Sequence, residues 1–142
     1  MPYATQAQLT KRYGEAMLTA ATDRGPVPSG VPDAAVIADA LAEADAVIDG
    51  YLAGRYALPL AQVPPLLADL AKALTIWKLH PYDAAPKLKD EYDAAMRMLR
   101  DIADGRVKLQ LSGVETPGTG GTGAQMTDRE RPFSADNMTG FI

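Results

Sequence analysis

The stretch ADAVIDGYLAGRYALPL, residues 44–60, contains the end of a long amphipathic helix and the exit from it. At about 100° per residue, the helical pattern extends back to Val36 and separates apolar from acidic residues. The apolar side consists of Val36, Ile37, Ala40, Leu41, Ala44, Val47, Ile48, Tyr51 and Leu52. The opposite side carries Asp39, Glu43, Asp45 and Asp49. Because Pro59 cannot continue a helix, we expect the guanidinium of Arg55 at the edge of the core, where it could bridge helices.

Upstream of this helix, the sequence contains two start signals and one interruption. Thr5 followed by Gln8 predicts a capping box that opens a short first helix, which Gly14 could divide in two. Three prolines and two glycines within residues 21–32 predict a surface loop. Asp33 then suits the N-cap of the long helix.

Two more helices follow the exit. A proline pair at 64–65 fits the first turn of a third helix, which should stop near His80. A fourth should begin at 84–86 and run to Ala103, with Gly105 as its stop signal. Four amphipathic helices with short links predict an all-α fold, a small four-helix bundle.

The pattern changes after Gly105. Val107, Leu109 and Leu111 alternate with polar residues, which predicts one short C-terminal strand. Such a strand must pair within the domain, join the edge of a neighbouring subunit, or remain extended chain. We therefore expect a helical domain over residues 1–106, and a short strand, a Gly/Thr-rich linker and an extended C-terminal arm over residues 107–142.

The C-terminal arm, residues 126–142, contains both phenylalanines of the chain. These large apolar groups lie away from any helix that could bury them, which favours contact with a partner. The arm could dock on another subunit, fold back on its own bundle, or stay disordered. The candidate partner-binding residues are Arg129, Arg131, Pro132, Phe133, Met138, Phe141 and Ile142.

Composition limits the class of protein. The 142 residues are 47% hydrophobic and can bury one modest core, and cysteine is absent, which fits folding in a reducing cytoplasm. We expect no membrane span, because no apolar run approaches about 20 residues, and no export signal at the start of the chain. The net charge of -4 argues against tight binding of nucleic acid.

Signals for catalysis are weak, and we predict no catalytic residue, cofactor or metal. His80 is the only histidine and precedes a proline at a helix end, where capping is favoured over proton transfer. The acidic residues spaced four apart indicate a solvated face more than a cation site. An enzyme with a pocket around His80 and Asp83, and a DNA-binding helical module, remain alternatives without a motif behind them.

Several motifs together resemble the Mu-like prophage gp36 family. They are Tyr3-Ala-Thr, Arg12-Tyr13-Gly14, the stretch from Ala44 to Leu60, Val63-Pro64 and the ending Ile102-Ala103-x-Gly105. The resemblance covers about residues 3 to 111. Its specific part contains the motif residues Asp49, Tyr51, Arg55, Tyr56 and Pro59.

The resemblance implies a structural protein of a tailed phage, a prophage or a gene transfer agent. Its layout is similar to helical head-tail connector proteins, which form a neck ring below the portal. It therefore implies a virion adaptor, a homo-oligomer of about twelve copies, that binds the portal protein and the next neck or tail-completion protein. Before assembly it would lie in the host cytoplasm. The alternative is a generic helical interaction module without a virion role.

The same implied ring suggests a place for the acidic side of the long helix. DNA must pass through the lumen without specific binding, and like charge prevents contact with phosphates. Asp39, Glu43, Asp45 and Asp49 are therefore candidates for the lumen wall, and a solvated outer face is the alternative.

Overall fold

The structure, a computed structural model of the chain, describes residues 2–80, 82 and 84–111. This part of the chain is helical, which confirms the predicted all-α class. Its five helices are α1 (Gln6–Tyr13), α2 (Glu15–Thr22), α3 (Ala34–Leu52), α4 (Pro65–Lys78) and α5 (Pro86–Ala103).

Gly14 makes the difference between the expected four helices and the five that are present. Its φ of 88° and ψ of 151° lie outside the helical region, in a conformation that costs glycine little because it has no β-carbon. The first predicted helix is therefore two short ones, α1 and α2. The predicted count of four helices was wrong because the prediction treated this segment as one helix.

Local capping signals set the helix ends where the sequence predicted them. The Thr5 and Gln8 side chains form the reciprocal capping box of α1, and the Asp33 carboxylate accepts from two N–H groups of α3. At the end of α5, Gly105 (φ 76°) donates to the Ile102 carbonyl at 3.1 Å, and Arg106 donates to the Asp101 carbonyl at 2.8 Å. This pair of bonds is a Schellman motif, which explains why glycine ends the helix.

The core consists of two clusters along the three longer helices. One joins the second half of α3 to the first half of α4 and the second half of α5. The other joins the first half of α3 to the last turn of α4, the start of α5, and the short helices α1 and α2. Helix α4 therefore runs antiparallel to α3 and α5.

This arrangement gives the molecule two ends. We call the end with residues 53–65 and 104–111 the exit end, and the end with residues 23–33, 79, 80 and 82 the loop end. Helix α3 has 19 residues and connects them, so the ends lie about 28 Å apart.

The predicted strand at 107–111 is not a strand in this structure. These residues are irregular, yet Leu109 is buried in the exit-end core, and Val107 and Leu111 are partly buried against it. The N–H of Leu109 donates to the Tyr56 hydroxyl at 3.1 Å. A side chain thus satisfies a backbone group that we expected to need a neighbouring strand. The alternation of apolar and polar residues arises because the apolar side chains pack on the helices, without forming a strand. Ser112 and the residues beyond lie outside the described part.

Among the described residues, no helix combines the length and the apolar character that crossing a membrane requires.

Candidate interaction surfaces

The N-terminal segment lies against α3 through two of the acidic residues that the sequence singled out. The N–H of Tyr3 donates to Asp45 Oδ1 at 3.1 Å, and the Tyr3 hydroxyl donates to Asp49 Oδ1. Tyr3 is buried, and burial together with Asp49 raises the pKa of its phenol well above its ordinary value. Burial also raises the pKa of Asp45, against the lowering effect of the Tyr3 N–H.

The four predicted lumen residues therefore occupy two environments. Asp45 and Asp49 are half-buried and hold Tyr3, whereas Asp39 and Glu43 are exposed. Glu43 also accepts a hydrogen bond from Lys78 Nζ at 3.0 Å. Asp39 and Glu43 are therefore the carboxylates of α3 that are most exposed to solvent.

The motif residues Arg55, Tyr56 and Tyr51 make stabilising contacts at the exit end. The Arg55 guanidinium lies against Gly105, in the space that a β-carbon at that position would fill. This contact places it at the edge of the core, between the end of α3 and the end of α5, as expected. Tyr56 is buried and holds Leu109, and Tyr51 packs against the same core. Pro59 follows a cis peptide bond in the exit.

Three hollows that share lining residues form one groove, which runs from the exit end across the first half of α4 to α1. The first, about 360 Å³, lies between residues 62–66 and 108–111. The second, about 470 Å³, shares Val63 and Pro65 with it and extends to the N-terminal segment and Lys72. The third, about 390 Å³, shares Gln8 and Lys72 with the second. We call this feature the α4 groove.

The two ends of the α4 groove differ in character. Leucine, valine and proline side chains line the first hollow together with Gln62, Lys108 and Gln110, whereas the third is lined by Gln8, Lys11, Arg12 and Lys72. Two carboxylates border these cations: Asp69 pairs with Lys72 and with Arg12 (3.6 Å), and Glu91 pairs with Arg12 (3.7 Å). Most of the apolar side chains of the groove therefore lie at the first hollow, which we call its apolar end, and the third hollow is its basic end.

The basic end is anchored to α5 by Tyr13. Its hydroxyl donates to Glu91 Oε2 at 3.2 Å, and the Arg12 guanidinium lies 5.4 Å from its ring centroid. Burial is the main cause that raises the pKa of Tyr13 to about 12. Arg12 acts in the opposite direction.

At the loop end, residues 23–33 form an exposed loop with a fixed shape. Helix α2 continues through Thr22, so the loop begins later than position 21. The Asp23 carboxylate accepts from the N–H groups of Ser29 (2.8 Å) and Gly30 (3.0 Å), which lower its pKa. Arg24 Nη2 donates to the Leu79 carbonyl at 2.6 Å and so holds the loop to the end of α4.

Large apolar side chains are exposed at this end. Val27 is 78% exposed, Val31 55% and Tyr82 93%. Val27 and Val31 lie on the loop, whose backbone is held by side-chain hydrogen bonds, and Tyr82 follows the end of α4, to which Arg24 holds the loop. An exposed apolar surface on a preorganised loop is typical of a protein contact.

The remaining predicted residues fall in two groups. Every candidate of the arm, from Arg129 to Ile142, lies outside the described residues. His80 is described, and its Nδ1 lies 2.8 Å from the Ile76 carbonyl in a helix-end contact. Within the described part of the chain, histidine and acidic side chains form no group of three that could hold a metal ion.

Sequence reasoning missed the α4 groove and the fixed shape of the loop. No periodic pattern marks the groove, because its walls come from three separate parts of the chain, within residues 2–12, 62–72 and 108–111. The loop offered a usable signal: an aspartate several residues before a Ser-Gly pair can cap the turn's N–H groups.

Comparison with known proteins identifies the family. The family described as "Bacteriophage Mu, Gp36" matches residues 3–128. The chain is 32% identical to "Gene product J" of Escherichia phage Mu over 142 residues, covering 100% of both chains. It is 30% identical to "Mu-like prophage FluMu protein gp36" of Haemophilus influenzae over 140 residues, covering 99% of this chain and 98% of the relative. These matches confirm the resemblance that the motifs indicated, and the chain therefore belongs to the bacteriophage Mu Gp36 family.

Proposed function

We propose that this protein is a structural adaptor of a phage-type particle, which joins a portal to the next neck or tail component. It acts by binding, with no catalytic step, cofactor or metal. Family membership and the phage and prophage origin of both relatives support a role in particle assembly.

The observation that carries the proposal is the separation of two contact surfaces. Val27, Val31 and Tyr82 are exposed at the loop end, whereas the first hollow of the α4 groove lies at the exit end, about 28 Å away along α3. An adaptor of this kind must bind neighbouring subunits and other components of the particle on different faces. A helical body with exposed apolar side chains at one end and a groove that begins at the other meets that requirement.

In the assembly, copies of the chain form a ring of about twelve subunits around the DNA path. The solvent-facing carboxylates of α3, Asp39 and Glu43, then face the lumen, and the net charge of -4 keeps DNA from binding to the wall. The arm, residues 126–142, supplies further apolar contacts to the portal or to a neighbouring subunit.

The test is a pull-down of the full chain with the portal protein encoded beside it, followed by negative-stain imaging of the product. We expect co-purification and rings seated on the portal. A full-length variant with Phe133→Ser and Phe141→Ser measures what the arm contributes. A folded full chain that neither binds the portal nor forms rings on it would contradict the adaptor role.

A helical interaction module without a virion role is the second candidate, since the exposed residues at the loop end would serve any partner. Affinity purification from cells that produce particles separates the two. An adaptor stays with purified particles after the tails attach, whereas a module without a virion role is absent from them.

A further inference from the structure

We propose that the α4 groove is the receptor for the C-terminal segment of this chain, residues 126–142. The inference rests on the proposed function, in which the arm contacts a partner. It names the surface that receives the arm when that partner is a copy of this chain.

The shape of the groove favours a linear peptide. Its three hollows adjoin one another, sharing Val63 and Pro65 at one junction and Gln8 and Lys72 at the next. A compact ligand would need one deep pocket. A row of open hollows instead accommodates an extended peptide, whose successive side chains enter successive hollows.

The chemistry of the groove matches the segment at both ends. The apolar end, with the partly buried Val63, Leu66 and Leu111, suits the aromatic and aliphatic anchors of the arm. Those anchors are Phe133, Met138, Phe141 and Ile142.

The basic end suits the acidic residues of the segment. Lys11, Arg12 and Lys72 outnumber their neighbours Asp69 and Glu91. The segment carries Asp128, Glu130 and Asp136 beside Arg129 and Arg131. The opposite charges at this end mainly set the direction in which the peptide lies, and they contribute less to its affinity.

The point at which the chain leaves the described structure supports the same occupant. Leu111, the last described residue, is itself part of the groove wall. Between it and the segment lie residues 112–125, and a chain of that length can span no more than about 46 Å. That distance allows the segment to reach the groove of its own subunit or of a neighbour, at a high effective concentration.

The test measures binding of a fluorescent peptide of residues 126–142 to full-length protein by anisotropy. The receptor is the full chain with Phe133→Ser and Phe141→Ser, whose own arm has lost its aromatic anchors. We expect saturable binding to this chain. Absence of binding would overturn the proposal.

Two further substitutions locate the site on that receptor. Ala68→Gln fills the middle of the groove and should weaken peptide binding about tenfold, whereas Ala94→Gln on the exposed side of α5 should not change it. Lys11→Glu should weaken binding about threefold, and Lys87→Glu serves as its matched control. Equal affinity for Ala68→Gln and Ala94→Gln, with both proteins folded by circular dichroism, would overturn the assignment to the groove.

The wild-type chain then shows which copy supplies the segment. If its own arm fills the groove, the wild-type chain is monomeric and binds the peptide more weakly than the receptor variant. If a neighbour's arm fills it, the wild-type chain self-associates in light scattering, and the serine substitutions abolish this. Both outcomes uphold the groove as receptor. Portal binding is measured separately, so loss of peptide binding with portal binding intact contradicts this inference alone.

Discussion

The guanidinium of Arg55 lies over the α-carbon of Gly105, where any other residue would place its β-carbon. Arg55 follows α3 and Gly105 follows α5, so this contact joins the ends of two long helices. The carbonyl end of a helix attracts positive charge, which adds a favourable electrostatic contribution. Gly105 thus has two functions: it takes the positive φ of the Schellman motif and leaves room for Arg55.

Gly105→Ala should destabilise the protein by about 1 to 2 kcal/mol, because alanine is strained at positive φ, and by more where Arg55 must move. Urea unfolding followed by Trp77 fluorescence measures this. Gly50→Ala is the control: Gly50 is helical with open space around it, so alanine there should stabilise by about 0.5 to 1 kcal/mol.

A double-mutant cycle isolates the Arg55 contact. In an Arg55→Ala background, Gly105→Ala should cost less than in the wild type, because only the backbone strain remains. An unchanged cost in that background would show that the two residues do not interact energetically.

Tyr3→Phe should lower the free energy of unfolding by about 1 to 3 kcal/mol, since it removes a hydrogen bond to the Asp49 carboxylate and keeps the packing. Urea unfolding at neutral pH provides the measurement. Tyr82→Phe, at a position that is 93% exposed, should change little. Equal effects of the two substitutions would contradict the importance of the Tyr3 contact.

Stability should fall at alkaline pH through Tyr3 and Tyr13. Both folded-state pKa values are raised above the ordinary 10.0, to about 12 for Tyr13, so the folded protein retains protons that the unfolded chain releases. The contribution of Tyr13 is fully present below about pH 10 and is lost as the pH rises towards 12.

Urea midpoints measured from pH 9 to 12 check the alkaline effect. The double variant Tyr3→Phe, Tyr13→Phe should show a shallower decline than the wild type, and Tyr82→Phe should follow the wild type. Parallel curves for all three proteins would assign the decline to other groups.

Tyr56→Phe should destabilise by about 1 to 3 kcal/mol, because it leaves the N–H of Leu109 buried without an acceptor. The same change should speed hydrogen exchange at the Leu109 amide more than elsewhere. Tyr51→Phe is the matched control, since the Tyr51 hydroxyl has no hydrogen bond to the described residues. If exchange at Leu109 is unchanged, Tyr56 does not hold residues 107–111 in place.

Val27→Ser combined with Tyr82→Ser should change the free energy of unfolding by no more than about 0.5 kcal/mol, because both side chains are exposed. Under the adaptor proposal, the same protein should bind the portal more weakly or form fewer rings. Ala94→Ser on the exposed side of α5 is the control for assembly. Assembly equal to that of the control would remove the loop end from the proposed contacts.

The helices and their ends were open to prediction because their signals are local. The Thr5–Gln8 capping box, the Asp33 cap and the glycine stop at 105 each act within one turn of the helix that they start or end. Val107, Leu109 and Leu111 show the limit of such reasoning. Their alternation correctly indicated one buried side, but period two alone cannot distinguish a paired strand from an extended segment packed on helices.

The sequence by itself determined the all-α class, the helix boundaries other than the one at Gly14, and the family. Caps, prolines, periodic apolar residues and the motif of residues 44–60 are signals that lie close together along the chain. Only the tertiary structure decided which polar groups meet. Asp45 and Asp49 bind Tyr3 from 42 and 46 positions away, and Tyr56 binds Leu109 across 53. Contacts over such separations depend on how the helices pack, and that packing also creates the α4 groove and separates the two ends.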